Sequence, residues 1–266
     1  MSTYLKAALP MIPGASRLPF VAGGGGAMPD TKLHETVRPD REHLAAYARV
    51  CGFRLRDELP PTYPPVLAFG LHMALMTDGR FPFPAVGLVH IENEITQHRP
   101  LRLEEELQIE VEASEIEPHP KGERFALVTR VAVGGEAAWE SRSTLLRRGR
   151  GTGESAHETF EAPEAIAEWK LPGDLGRRYG AVSGDRNPIH LHPLTARAFG
   201  FDRPIAHGMW TKARCLAALR LPDAFTVTVA FKKPVFLPGT VVFGAHEDRF
   251  AVQSREGAVH LEGRIR

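Results

Sequence analysis

Only two cysteines, Cys51 and Cys215, occur in 266 residues. They form no metal-ligand spacing and no disulfide framework, so a reducing cytoplasm is the expected location. No charge sign dominates: 33 basic residues face 32 acidic ones, a net charge of +1. That balance removes any global electrostatic case for nucleic acid or for an anionic membrane surface. No apolar run reaches the roughly 18 residues that a membrane span needs. The opening M-S-T-Y-L-K-A-A-L-P-M-I-P has one lysine and an apolar stretch broken by Pro10 and Pro13, a poor signal peptide. The run Gly23 to Gly26 lacks the Lys-Ser/Thr ending of a phosphate loop. Residues 1–35 therefore read as a Gly/Pro-rich arm.

What is present is ordinary for a globular chain: 43% hydrophobic and 24% charged residues, with length enough for two domains. Asp40 to Val50 reads as a short helix with Asp40 as N-cap. Val66 to Met76 reads as one helix, apolar nearly all round and so buried. Strand-like runs follow at Val86–Thr96, Glu106–Glu117, Arg124–Val133 and Ala137–Leu146, several alternating as in L-Q-I-E-V-E. Arg147 to Glu158 is basic, then Gly/Ser-rich, and reads as a linker. The second half repeats the order. Tyr179–Val182 ends a helix, Thr195–Phe199 adds a helical turn, and His207–Leu219 is the buried helix. Strands are expected at Thr226–Val235, Thr240–His246, Arg249–Ser254 and Ala258–Ile265.

The repeat shows residue by residue. Tyr47-x-x-Val50-Cys51-Gly52 aligns with Tyr179-x-x-Val182-Ser183-Gly184, Pro65-Val66 with Pro204-Ile205, and Pro100-Leu101-Arg102-Leu103 with Pro234-Val235-Phe236-Leu237. Two copies of one unit are implied, each a sheet covered by its apolar helix. The boundaries expected are an arm at 1–35, a first unit at 36–148, a linker at 149–165 and a second unit at 166–266.

The copies differ where chemistry would sit. Asp185, Asn187 and His190 fall within six residues of Y-G-A-V-S-G-D-R-N-P-I-H, a loop pinned by Gly184 and Pro188. Phe53, Leu55 and Glu58 align with those three polar residues, and Phe69 with Gly208. The second copy then continues P-I-A-H-G-M-W into its apolar helix, whose start offers unpaired N–H groups and partial positive charge. An acid–base pair beside such a terminus suits chemistry on a carbonyl compound. His207 and Ser183 are expected to cap or bond locally, and His192 to take no part. Lys232 and Lys233 open a possible phosphate-contacting patch, with Lys212 and Arg214 as weaker candidates.

S-G-D-R-N-P-I-H followed by A-H-G-M resembles the hydratase motif of MaoC-like, (R)-specific enoyl-CoA hydratases. The resemblance implies an α+β double hot-dog fold, two curled antiparallel sheets each wrapped around a long central helix. It implies Asp185 and His190 as catalytic dyad, Asn187 as support, and Gly208 as the backbone N–H donor to a thioester oxygen. The reaction implied is reversible hydration of trans-2-enoyl to (3R)-3-hydroxyacyl thioesters, linked to coenzyme A or to a carrier protein's phosphopantetheine. No metal or further cofactor is implied. The expected state is a monomer, as an internal pseudo-dimer, or a homodimer. Two other readings are a MaoC-like hydratase outside fatty-acid metabolism, or a non-catalytic acyl-thioester-binding module.

Overall fold

A computed structural model describes residues 27–85, 87–153 and 160–266. The glycine run and residues 154–159 of the expected linker lie outside the described residues. The first half contributes β1 (Leu33–Val37), α1 (Arg41–Cys51), α2 (Pro64–Leu67), α3 (Phe69–Met76), β2 (Val89–Gln97), β3 (Leu107–Ala113), β4 (Glu117–His119), β5 (Gly122–Val133) and β6 (Glu136–Arg148). The second contributes β7 (Ala165–Leu171), α4 (Leu175–Ser183), a 3₁₀ turn (Pro188–His190), α5 (Pro193–Ala198), α6 (Gly208–Ala218), β8 (Phe225–Phe231), β9 (Gly239–His246), β10 (Arg249–Gln253) and β11 (Val259–Ile265).

The strands form one antiparallel sheet in the order β1-β3-β5-β6-β2-β8-β11-β10-β9-β7, with β4 beside β5. The order is palindromic about the β2–β8 seam, where Ile95 opposes Val227. Two half-sheets, each with its own helix, are thus hydrogen-bonded edge to edge, the double hot-dog arrangement in a single chain. The seam removes two exposed edges that would otherwise template aggregation.

Local chemistry sets the helix ends. The Asp40 side chain accepts the His43 N–H at 2.7 Å, capping α1. Gly52 and Gly184 end α1 and α4 at φ 83° and 77°, in the left-handed region open to glycine. The helix expected over Val66–Met76 is broken at Ala68 into α2 and α3. Two prolines start the first piece, and Ala68 N–H turns back to Pro64 and Val66 carbonyls. Nor is α3 buried all round: Gly70 and Ala74 face water, where small side chains expose little apolar area. Three strands were not expected, the short β4 among them. β1 starts inside the segment read as arm, and β7 pairs with β9 at the far edge of the sheet. Arg147 and Arg148 belong to β6 rather than to a linker.

Hydrogen bonds refine the repeat. Leu59 N–H donates to Leu101 O and Leu103 N–H to Asp57 O. Ala206 N–H donates to Val235 O and Leu237 N–H to Pro204 O in the same pattern. Glu58 bridges Arg102 as Ile205 bridges Phe236. Glu58 is therefore the counterpart of Ile205, not of His190, and Pro65-Val66 lies in α2, outside the matched ladder. Five residues lead from Gly52 to Asp57, and twenty from Gly184 to Pro204. The extra length in the second half carries the 3₁₀ turn and α5, so the first half has no position equivalent to His190.

Candidate active site

The dyad loop is laid on the glycine face of α4. The His190 carbonyl lies against Gly176, leaving no room for a side chain there. A Cβ on Gly180 would meet the Asp185 carbonyl at 2.8 Å, and one on Gly184 would meet the Phe69 ring at 2.8 Å. Glycines at positions 176 and 180 thus let the loop approach the helix backbone, and Gly184 admits the Phe69 ring. This signal was present in the sequence at a spacing of four and went unread, because only Gly184 flanks the motif.

Within the loop, Ser183 Oγ accepts the Asp185 N–H at 3.2 Å, the local bond expected of it. Asp185 Oδ1 accepts the Asn187 N–H at 3.1 Å, and Asn187 Oδ1 accepts the Ile189 N–H at 3.4 Å to open the 3₁₀ turn. Pro188 suits the first position of that turn. His190 is buried, and its Nδ1 meets the Ile205 carbonyl at 2.7 Å. A carbonyl only accepts, so Nδ1 carries the proton and Nε2 keeps its lone pair. Burial lowers the His190 pKa from 6.5, against the opposing pull of the Asp185 carboxylate.

His207 stands at the N-cap of α6 but does not cap it. Its Nε2–H instead donates to the Asp185 carbonyl at 3.0 Å. Among the described residues no side chain then caps the start of the helix at Gly208, which leaves its first N–H groups available to a ligand. Gly208 is also a packing necessity, since a Cβ there would lie 3.0 Å from the Phe231 ring. One polar atom each from Asp185, His190 and His207 falls within a 4.8 Å cluster. That is a potential metal-ligand grouping the sequence did not reveal, because His207 is 17 residues beyond His190. Two of its imidazole nitrogens are already committed as donors to carbonyls.

His192 caps α5 through Nδ1, which accepts the Leu194 N–H at 3.2 Å. Two of the basic candidates are elsewhere. Lys212 is fully buried, its Nζ donating to Asn93 Oδ1 at 2.6 Å, Asn93 O at 3.1 Å and Val227 O at 3.2 Å. It ties α6 to both sides of the β2–β8 seam and cannot meet a phosphate. Arg214 lies over the Trp169 ring at 4.5 Å and against Gly52, a packing role. Lys232 is paired with Glu262 at 2.6 Å, and Lys233 is exposed beside it.

The first half closes one wall. Phe69, at the start of α3, reaches across to Gly184 and packs with Met73, Met76, Ala85 and Phe199 in a small apolar cluster beside the loop.

Fold and site together define the class, a double hot-dog protein with a hydratase-type loop in its second half. A family model described as MaoC like domain matches residues 157–262. The chain is 39% identical over 240 residues, 88% of its length and 82% of the relative's, to a protein of Mycobacterium tuberculosis named 3-hydroxyacyl-thioester dehydratase X. It also matches the crystal structure of HtdX from that organism at TM-score 0.80 and 36% identity, covering 89% of this chain and 99% of the other. A shorter similarity, 37% over 65 residues, 22% of this chain and 48% of the relative, links it to an (R)-specific enoyl-CoA hydratase of Aeromonas caviae. The chain belongs to the MaoC-like dehydratase family.

Proposed function

We propose that this protein is a hydro-lyase that interconverts trans-2-enoyl and (3R)-3-hydroxyacyl thioesters in fatty-acid metabolism. The observation that carries the reading is the polarised His190. Its Nδ1–H is fixed on Ile205, which leaves Nε2 with its lone pair, and the residue belongs to the same cluster as the Asp185 carboxylate, beside the uncapped start of α6. In hydration, water loses a proton to the dyad as its oxygen bonds carbon 3. The double-bond electrons move toward the thioester oxygen, and a proton returned to carbon 2 completes the product. The Gly208 N–H stabilises the developing enolate charge, an effect worth a few kcal/mol for one well-placed donor. Asn187 holds the loop on which the dyad stands. The relatives' names and the apolar cluster from Phe69 to Phe199 support an acyl-thioester substrate whose tail lies against α3.

The reading includes coenzyme A or a carrier-linked phosphopantetheine as part of the substrate, with Lys233, and Lys232 once released from Glu262, as the contacts to its phosphates. It includes no metal, no partner nucleic acid, a cytoplasmic location, and a monomer or homodimer. Among the described residues no helix is long and apolar enough to cross a membrane.

The test is hydration of a panel of trans-2-enoyl-CoA lengths, beginning with crotonyl-CoA, read by loss of enoyl absorbance and by product stereochemistry. Turnover to the (3R) product that survives dialysis against a chelator is expected. Binding without turnover at any length would make the protein an acyl-thioester-binding module. Turnover restored only by an added metal would overturn the metal-free reading.

A further inference from the structure

His90 belongs to the half that lacks the dyad, yet its side chain is directed to the site. Along β2, Asn93 and Ile95 face the helices, while Glu92 and Glu94 face outward. Strict alternation would send His90 outward with the glutamates. A bulge between His90 and Glu92 reverses the parity, so that His90 pairs with Leu145 and, through it, shares a face with the buried Phe125. Bulges re-aim side chains in this way next to functional sites. On the inner face, Lys212 of α6 binds Asn93. Gly208 lies one helical turn before Lys212, and His90 lies before Asn93 in the same direction. The Phe231 ring fills the gap: it is 5.0 Å from the His90 ring and rests on the Cα of Gly208.

In this position His90 Nε2 is buried and, among the described residues, has no hydrogen-bond partner. Burying an unpaired polar atom costs about 1–3 kcal/mol. Folding gains nothing from that cost, and such orphans are expected where a ligand completes the bond. Burial, with the Lys212 ammonium adding to it, lowers the His90 pKa to about 4, so the ring is neutral at physiological pH, and Asp185 is close enough to oppose the shift. A neutral imidazole nitrogen can bond a hydroxyl in either tautomer, or donate to a carbonyl oxygen.

We propose that His90 contacts the substrate, its Nε2 hydrogen-bonding an oxygen of the reacting acyl segment, either the thioester oxygen or the 3-hydroxyl. This rests on the hydro-lyase reading. It assigns a polar contact to the half without the dyad, so that the reacting segment is held from both halves at once.

The test measures binding in an Asp185→Asn background, which slows turnover, with and without His90→Leu. Three probes are titrated: butyryl-CoA, (3R)-3-hydroxybutyryl-CoA and free coenzyme A. His90→Leu is expected to weaken an acyl ligand about tenfold, the scale of one lost hydrogen bond, and to leave free coenzyme A unchanged. Equal weakening of both acyl ligands assigns the thioester oxygen, and weakening of the hydroxy compound alone assigns the 3-hydroxyl. The melting temperature should stay level or rise, because an unpaired buried nitrogen is removed; a structural histidine would give a fall. Unchanged affinity for both acyl ligands, or equal loss for free coenzyme A, overturns the proposal. If His90→Leu does not fold, nitrogen NMR of histidine-labelled protein decides, with His90→Gln assigning the peak: a His90 Nε2 resonance unmoved by saturating butyryl-CoA and by saturating (3R)-3-hydroxybutyryl-CoA overturns it. Crotonyl-CoA hydration by the unmodified protein is the control. Its absence would be a failure of the hydro-lyase reading, whereas turnover with silent His90 variants is a failure of this inference alone.

Discussion

The rings of His190 and His207 lie face to face, with 3.6 Å between centroids and 26° between planes, yet their hydrogen bonds hold different segments. His190 bonds Ile205, at the approach to α6, and His207 bonds back to Asp185 in the dyad loop. The pair therefore laces the acid, the base and the helix start together. Two imidazolium ions could not stack this closely, and burial, with His190 nearby, holds the His207 pKa down at about 3.

Replacing either dyad member should silence the chemistry and spare the fold. Asp185→Asn keeps the acceptor for the Asn187 N–H, and His190→Gln keeps a donor within reach of Ile205. Each variant should lower kcat by roughly 100-fold or more, the scale of lost acid–base catalysis. Stopped-flow or steady-state turnover, with circular dichroism to confirm folding, measures this. Near-normal kcat in a folded variant would remove that residue from the mechanism.

Gly176→Ala should damage the site from behind. The added methyl meets the His190 carbonyl, and either the loop or the helix must yield. We expect a loss of about 1–3 kcal/mol in urea unfolding, as for an overpacked core, together with a fall in kcat. Gly70→Ala, on the exposed face of α3 with open space around it, is the matched control and should leave both unchanged or slightly raise stability. Equal effects at the two positions would refute the cradle.

Lys212→Met tests the buried lysine, whose pKa burial pushes well below 10.5. The change leaves the Asn93 side-chain oxygen without its donor and takes a bond from two ladder carbonyls. A destabilisation of at least about 2 kcal/mol is expected from those lost bonds. Lys233→Ala, on the surface, should stay within about 0.5 kcal/mol. If Lys212→Met proved neutral in chemical denaturation, the seam would not depend on this residue.

Acidification should unfold the protein early. His72 and His90 are pushed by burial to about 4, and His207 to about 3. Above pH 6.5 these groups are neutral folded or unfolded, and they make no difference to stability. As pH falls from 6.5 toward 4, the unfolded chain takes up protons that the folded chain refuses, so stability falls with pH. Each fully linked group contributes about 1.4 kcal/mol per pH unit. The urea midpoint should therefore drop steeply between pH 6.5 and 5, and a flat profile there would contradict the burial of these rings. The lowered His190 pKa places the acid limb of kcat/KM below 6.5 in the same experiments.

The sequence made the dyad loop legible because its chemistry is local: Asp185, Asn187 and His190 act through bonds to residues within the motif or just beyond it. The α1 cap at Asp40 was legible for the same reason. What escaped depends on partners far along the chain. The lone lysine of α6 looks like a polar surface residue until Asn93, 119 positions away, supplies its acceptors. His90 looks outward until a bulge, invisible to alternation counting, turns it. β1 and β7 were missed because edge strands bury little: all of β1 is at least partly exposed, and Ile166 of β7 stands in water. The counterpart of His190 was misplaced on Glu58 because an inserted turn and helix leave no gap that a single sequence displays.

The seam between β2 and β8 has an evolutionary consequence. In a symmetric pair of identical chains, every substitution appears twice, and a change that widens one tail-binding wall also alters the opposite catalytic face. Here the two faces are separately encoded but permanently joined. Phe69 could grow bulky and His90 turn inward without a duplicate intruding at the twin position. On the proposed function, the wall around Phe69 can be refitted one residue at a time while the dyad loop, on the other side of the seam, stays fixed.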